Sequence, residues 1–203
     1  MRTVDPDRHA ARRGAIMAAA ARCFSEKGFH RTSTADICAA AGISSGNLFH
    51  YFPSKQAIIV AIVDREAEEV VALFAGLREM EPLDGLSRFL DLILDLAADR
   101  AYVRLALEIS AEASRDPAVA ARVARGDGIL QGALRDLLAD AAASGAIDSA
   151  LDPAAAAVWI GAVVDGLFNR VSLDSAFRPQ DQGAMVHRLV MRFLAPAAGT
   201  VAP

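Results

Sequence analysis

An all-α protein of about nine helices is what this 203-residue sequence predicts, and three observations carry that expectation. Ala, the best intrinsic helix former, supplies 44 residues, while aromatics reach only 6%. Apolar residues recur at three- and four-residue spacing through the long segments, with no strand-like alternation and no repeat. Pro, Gly, Ser and Asp fall between those segments, where helices start and stop. At 54% apolar and 23% charged, the chain has enough apolar surface for a core without disulfide or metal staples. The two cysteines, Cys23 and Cys38, sit on apolar helix faces and read as small buried hydrophobes in a reduced, cytoplasmic compartment.

The elements follow in order. A first helix is expected from about His9 to Lys27, with Ile16, Ala20, Cys23 and Phe24 on one face and Gly28 as its stop. Arg12-Arg13 ahead of Ala15–Ala21 has the look of an export signal, but Arg22 interrupts the apolar stretch. Ser33 and Asp36 have capping-box spacing for a short second helix, with Ile37 and Ala41 inward and Gly42 at its end. Ser44 caps a third helix to about Tyr51, with Ile43 and Leu48 inward. Pro53-Ser54-Lys55 opens a long fourth helix to about Met80. Beyond Pro82, Leu86, Phe89, Leu90, Ile93, Leu94 and Ala97 form one stripe, and Val103, Ala106 and Ile109 belong to the next helix. Asp116-Pro117 opens a block to about Ser144, in which Gly126-Asp127-Gly128 predicts a kink or break, since each Gly costs roughly 1 kcal/mol against Ala. Asp152-Pro153 starts an unusually apolar helix to about Val171, and Pro179 starts the last, ahead of a frayed tail over 195–203. No apolar run approaches 18 residues without a charge, so no membrane-spanning helix is expected.

The net charge of −4 is unevenly spread. Residues 1–55 hold eight bases against four acids, and the remainder holds 13 against 21. A basic head on an acidic body suits a head that meets a polyanion. Residues 33–51 supply the means, because two short helices joined by a Gly-containing turn form the helix-turn-helix pattern. Ala41 and Gly42 are small enough for the helices to cross closely, and Ile43 and Leu48 fill the core beneath. Ser45, Gly46, Asn47 and His50 are then left for the major groove, with Asn47 the best placed for a base edge. Thr32, Ser33 and Lys55 would flank the helix as phosphate contacts.

Gly28-Phe29-His30-Arg31-Thr32-Ser33-Thr34-Ala35-Asp36-Ile37, followed by Ala41-Gly42-Ile43-Ser44-Ser45-Gly46-Asn47-Leu48-Phe49-His50-Tyr51-Phe52-Pro53-Ser54-Lys55, resembles the TetR/AcrR transcriptional repressors. The run from Leu105 to Pro117 resembles their choline-sensing, BetI-type subgroup, without assigning choline as ligand. Ser45 stands where many members carry Lys, and Phe49 where many carry Tyr. The resemblance implies a DNA-binding domain over 1–52, and a ligand-sensing and dimerisation domain over 53–203. It implies a regulator, most often a repressor, that binds a palindromic double-stranded operator as a homodimer and is released by a small-molecule effector. An effector held by the middle helices would shift the fourth helix from Lys55 onward. The DNA-binding set on this reading is Thr32, Ser33, Ser44, Ser45, Gly46, Asn47, His50, Tyr51 and Lys55.

Other signals carry less. Gly42-Ile43-Ser44-Ser45-Gly46 matches a hydrolase nucleophile elbow only in letters, since it lies between helices and lacks acid and His partners at the required places. No metal, cofactor, membrane partner or catalytic residue is expected. Glu108 and Glu112 are either a solvated ladder with Arg104 or a pocket for a cationic ligand. Phe89, Tyr102 and Trp159 are core by default and ligand-lining as the sharper reading. Ile160, Val163, Val164, Leu167 and Val171, with Val186, Leu189, Val190 and Phe193, are the expected four-helix dimer interface. The alternative function is an α-helical small-molecule-binding protein or enzyme with a vestigial DNA-binding head.

Overall fold

The structure, a computed structural model, describes residues 6–196, which form nine α-helices and no strand. They are α1 (Pro6–Lys27), α2 (Thr34–Ala41), α3 (Ser45–Tyr51), α4 (Lys55–Leu77), α5 (Pro82–Ala98), α6 (Arg100–Ala113), α7 (Pro117–Ala143), α8 (Pro153–Leu173) and α9 (Gly183–Leu194). The expected stops and starts fall close to these bounds. One difference is that Pro179 opens a 3-10 turn, Pro179–Gln182, from which α9 continues. Another is α7, which runs without a break through Gly126-Asp127-Gly128. Two glycines cost too little to interrupt a 27-residue helix that is anchored by Val119 on one side of them and Leu134, Leu137 and Leu138 on the other. The tail from 197 onward lies outside the described residues.

The chain divides into two compact units. One holds the described residues up to Glu66 together with Ala101–Gly126, and the other holds Ala67–Arg100 with the described residues from Asp127 on. Contacts therefore group most of α6 and the start of α7 with the first three helices, a grouping drawn differently from the division expected at residue 52. In the first unit Ile16, Ala20 and Phe24 of α1 meet Ile37 of α2, Leu48 of α3, Ile58, Ile59 and Ile62 of α4, and Leu105 and Ile109 of α6. Each of the Ile, Leu and Phe side chains contributes on the order of 1.5–3 kcal/mol by leaving water.

The second unit is built around Phe74, Phe89, Leu90, Leu134, Leu138, Ile160 and Val190, with the Phe74 and Phe89 rings 5.4 Å apart. Gly85 marks a close approach, because a Cβ there would lie 2.8 Å from the Leu77 carbonyl oxygen. α8 is long and apolar enough to cross a membrane by length and composition, although Asp165 and Arg170 leave it no charge-free run of 18 residues. Its inward residues Ile160, Val164, Leu167 and Val171 are buried within this chain, and Asp165 and Arg170 interrupt its other side. A core helix with a second apolar face accounts for that composition.

Candidate nucleic-acid interface

The head is assembled by caps. Ser33 holds extended backbone, and its hydroxyl oxygen accepts from the Asp36 amide at 3.1 Å while its own amide donates to Asp36 at 2.8 Å. This reciprocal pair satisfies two early donors of α2. Lys27, at the end of α1, bonds the same carboxylate and so ties α1 to α2. That contact, with the Ser33 bonds, holds the Asp36 carboxyl well below the usual carboxylate range. Gly42 ends α2 at φ +62°, a left-handed conformation open to Gly without penalty, and lets the chain turn at once into α3. The Ser44 hydroxyl then accepts from the Asn47 amide at 3.2 Å, which leaves its O–H free to donate outward.

Leu48 is fully buried beneath α3, which fixes the phase of the helix. Ser45, Gly46, Asn47, Phe49 and His50 are consequently exposed together on its other side. Phe49 is 50% exposed, the one large apolar side chain in that group, and it was left out of the set expected from sequence. The signal was present: a helix that buries Leu48 must turn position 49 outward. Tyr51 is half-buried and meets His9 of α1, the two ring centroids 4.7 Å apart.

Two of the expected phosphate contacts are committed elsewhere. Thr32 is only 1% exposed, and its hydroxyl oxygen lies 3.0 Å from the Cys23 carbonyl and 2.8 Å from the Gly28 carbonyl. Lys55 Nζ donates to the Phe29 carbonyl at 2.6 Å and the Thr32 carbonyl at 2.8 Å, and lies 4.3 Å from the centre of the Phe29 ring. Burial pushes the Lys55 ammonium below its ordinary range, with Glu112 opposing. Thr32 and Lys55 thus hold the frame of the head, because every buried carbonyl in this turn needs a donor.

The same turn is gripped from α6. Arg104 Nε donates to the Ser25 carbonyl at 3.0 Å, the Phe29 amide donates to Glu108 Oε2 at 3.1 Å, and His30 Nε2 lies 3.0 Å from Glu112 Oε2. Gly28, at φ +82°, brings the backbone so near that a Cβ would sit 3.3 Å from the Glu108 carboxylate. The three α6 residues are one helical turn apart and follow the end of α1 and the turn after it. A solvated ladder is therefore the wrong reading for Glu108 and Glu112. Glu112 is 3% exposed and shares its strip with buried Leu105 and Ile109.

Comparison with known proteins now decides the family. The profile described as bacterial regulatory proteins, tetR family, matches residues 16–62. The profile described as BetI-type transcriptional repressor, C-terminal, matches residues 82–195, more than half of the chain. The chain belongs to the TetR family. Among its relatives, the HTH-type transcriptional regulator UidR of Escherichia coli K12 is 42% identical over 76 residues, covering 37% of this chain and 36% of UidR. RutR of the same organism is 36% identical over 83 residues, covering 40% of this chain and 39% of RutR. These matches span little more than a third of either relative. A solved structure of Salmonella enterica GusR superposes with a TM-score of 0.76 at 30% identity, covering 91% of this chain and 95% of GusR.

In this TetR-family chain the five residues expected to line an effector site have separate surroundings. Phe89 is interior to the second unit, Glu108 and Glu112 hold the α1–α2 turn, and Trp159 is 65% exposed on α8. Tyr102 is half-buried on α6. The expected interface residues also divide. Ile160, Val164, Leu167, Val171 and Val190 are buried within the chain itself, and Val163 and Val186 are half-buried. Leu189 and Phe193 are exposed, together with Val158, Trp159, Leu173 and Met185. Trp159, Val163, Leu189 and Phe193 border an apolar groove of about 290 Å³ floored by Ile160 and Val190. Apolar residues on both sides of α8 hide its phase, so periodicity alone selected the inward side. Among the described residues, no group of three His, Cys, Asp or Glu side chains could hold a metal ion.

Proposed function

We propose that this protein is a sequence-specific DNA-binding repressor, cytoplasmic and non-enzymatic, that acts as a homodimer on a palindromic operator and is released by a small-molecule effector. The observation that carries the reading is the exposed side of α3, where polar and aromatic groups stand together on a helix fixed by the fully buried Leu48. On that side Asn47 suits a base edge, Phe49 suits a thymine methyl, and Ser44, Ser45 and His50 suit phosphate oxygens. Ser33 and Gly46 flank these contacts, and Tyr51 adds a hydroxyl at the end of α3. Thr32 and Lys55 act as positioning residues. A vestigial head is disfavoured because both caps, the Lys27–Asp36 pair and the Lys55 bonds are intact, and all of them serve to hold α3 in place.

Two α3 helices read two half-sites only when two heads are held one helical turn apart, which a dimer provides. The groove-bearing face of α8 and α9 is the surface we assign to that pairing, with Trp159, Leu189 and Phe193 as its anchors. Effector release requires that the effector bind the DNA-incompetent state more tightly than the competent one. Arg104, Glu108 and Glu112 give α6 a direct hold on the head, so a shift of α6 reaches the turn that Lys55 also braces.

The test is a fluorescence-anisotropy titration of the purified protein against a duplex from immediately upstream of its own gene and a scrambled control, at several salt concentrations. Tight binding to the first duplex, with a steep salt slope, is the expected result. Equal, weak binding to both, followed by failure to enrich any fragment in a genome-wide selection, would refute the reading.

A further inference from the structure

His9 lies outside the helix-turn-helix, yet its ring joins it. The His9 centroid is 4.7 Å from the Tyr51 ring and 6.4 Å from the His50 ring, and His50 is 5.2 Å from Tyr51. His50 is exposed, and His9 and Tyr51 are half-buried. The three rings therefore form one compact cluster, with both imidazoles against the same phenol ring, on the same part of the head surface as α3.

We propose that His9 is a further DNA-contact residue, and that His9 and His50 together make DNA binding take up protons. The inference rests on the reading of α3 as the DNA-binding element. Histidine is the side chain whose charge ordinarily changes between pH 5 and 8, and only its charged form offers donors on both ring nitrogens. A phosphate at this edge favours the charged rings, because each proton gained becomes an attraction to the polyanion. The protonated form binds more tightly, so affinity rises as pH falls through the histidine range.

The surrounding charges are compatible with this role. On α1, Asp7 and Arg8 are neighbours of opposite sign, and Arg12 and Arg13 lie one turn on. The Arg13 guanidinium is turned onto the Phe52 ring at 4.8 Å. On α2, Asp36 is bonded to Lys27 and Cys38 is buried. On α3, Tyr51 and His50 are the titratable groups, and Lys55 beyond them is held by the Phe29 and Thr32 carbonyls.

The experiment measures affinity for the upstream and scrambled duplexes by anisotropy at about pH 6 and about pH 8, the two sides of the histidine range. Phosphate contacts act on both duplexes, so both report. Wild-type protein should bind roughly tenfold more tightly at the lower pH, the order expected for an average uptake of about half a proton across that interval, with a salt slope steeper by about one. His9→Gln should flatten that ratio, and the H9Q/H50Q double variant should abolish it. His9→Arg, charged at both pH values, should reduce the ratio to the His50 share by binding more tightly at the higher one. Far-ultraviolet melting of each variant separates lost contact from lost fold. A wild-type ratio near one, or a full ratio in His9→Gln, overturns the inference while leaving the DNA-binding reading intact. Absence of binding to either duplex at any pH overturns that reading itself, and this inference with it. Equal affinity for the two duplexes with the pH ratio retained supports the role of His9 and removes only sequence specificity.

Discussion

Lys55→Met gives the sharpest test of how the head is held. The substitution keeps the length and apolar stem of the side chain and removes its charge. It deletes the bonds of 2.6 and 2.8 Å to the Phe29 and Thr32 carbonyls and the cation 4.3 Å from the Phe29 ring. Hydrogen bonds involving a charged group are each worth about 1.5–3 kcal/mol, and the ring contact adds about 0.5–1 kcal/mol. Against this, the methionine escapes the desolvation that depresses the ammonium in the folded state. A net loss of about 2–3 kcal/mol follows, or roughly 5–10 °C in Tm for a chain of this size. Urea and thermal unfolding followed by ellipticity measure it. Affinity for DNA, measured well below the new midpoint, should keep the wild-type salt slope. The reasoning would be refuted by an unchanged Tm together with a salt slope smaller by about one, since that pairing is what a lost phosphate contact produces.

Three other perturbations have defined outcomes. Gly85→Ala forces a methyl to 2.8 Å from the Leu77 carbonyl, a backbone atom that cannot swing aside, so unfolding free energy should fall by about 1–3 kcal/mol; a variant as stable as wild type would mean that the two helices separate freely there. Asp36→Asn should lower the urea midpoint at neutral pH. The native carboxyl titrates well below its unfolded range, so its contribution is complete above that range and is lost as pH falls from it toward the lower native one, and the difference between the proteins should narrow from about pH 4 downward. A constant difference would assign the effect to something other than the carboxylate charge. Leu189→Arg should yield folded monomers in light scattering, whereas Val190→Arg, one residue on but buried in this chain, should unfold the second unit. A folded dimer from Leu189→Arg would move the interface off this face.

Much of the fold was legible because its signals are local. Ser33 with Asp36, Gly42, Ser44 and the Asp152-Pro153 pair mark helix ends through bonds made within four residues, and the structure makes each of them. Leu48 was legible as the inward residue of α3, although its neighbour Phe49 is as apolar and stays 50% exposed. The phase of α8 was not, because Trp159 and Val158 on one side are as apolar as Ile160 and Val164 on the other. The kink at Gly126-Asp127-Gly128 was misjudged because a local penalty was weighed without the packing on both sides of it.

The α6 row was illegible for a deeper reason. Arg104 and Glu108 at four-residue spacing have the same pattern whether they face water or a backbone turn some 80 residues earlier in the chain. What distinguishes the two cases is the partner. The Phe29 amide and the Ser25 carbonyl are main-chain groups that every residue type possesses, so no side chain at those positions announces them. The same holds for Lys55, whose partners are two carbonyls. Charges that bind side chains leave a complementary charge to be found in the sequence, as Lys27 and Asp36 do. Charges that bind backbone leave none, and here they fall on the residues that fix the helix-turn-helix head to the rest of its unit.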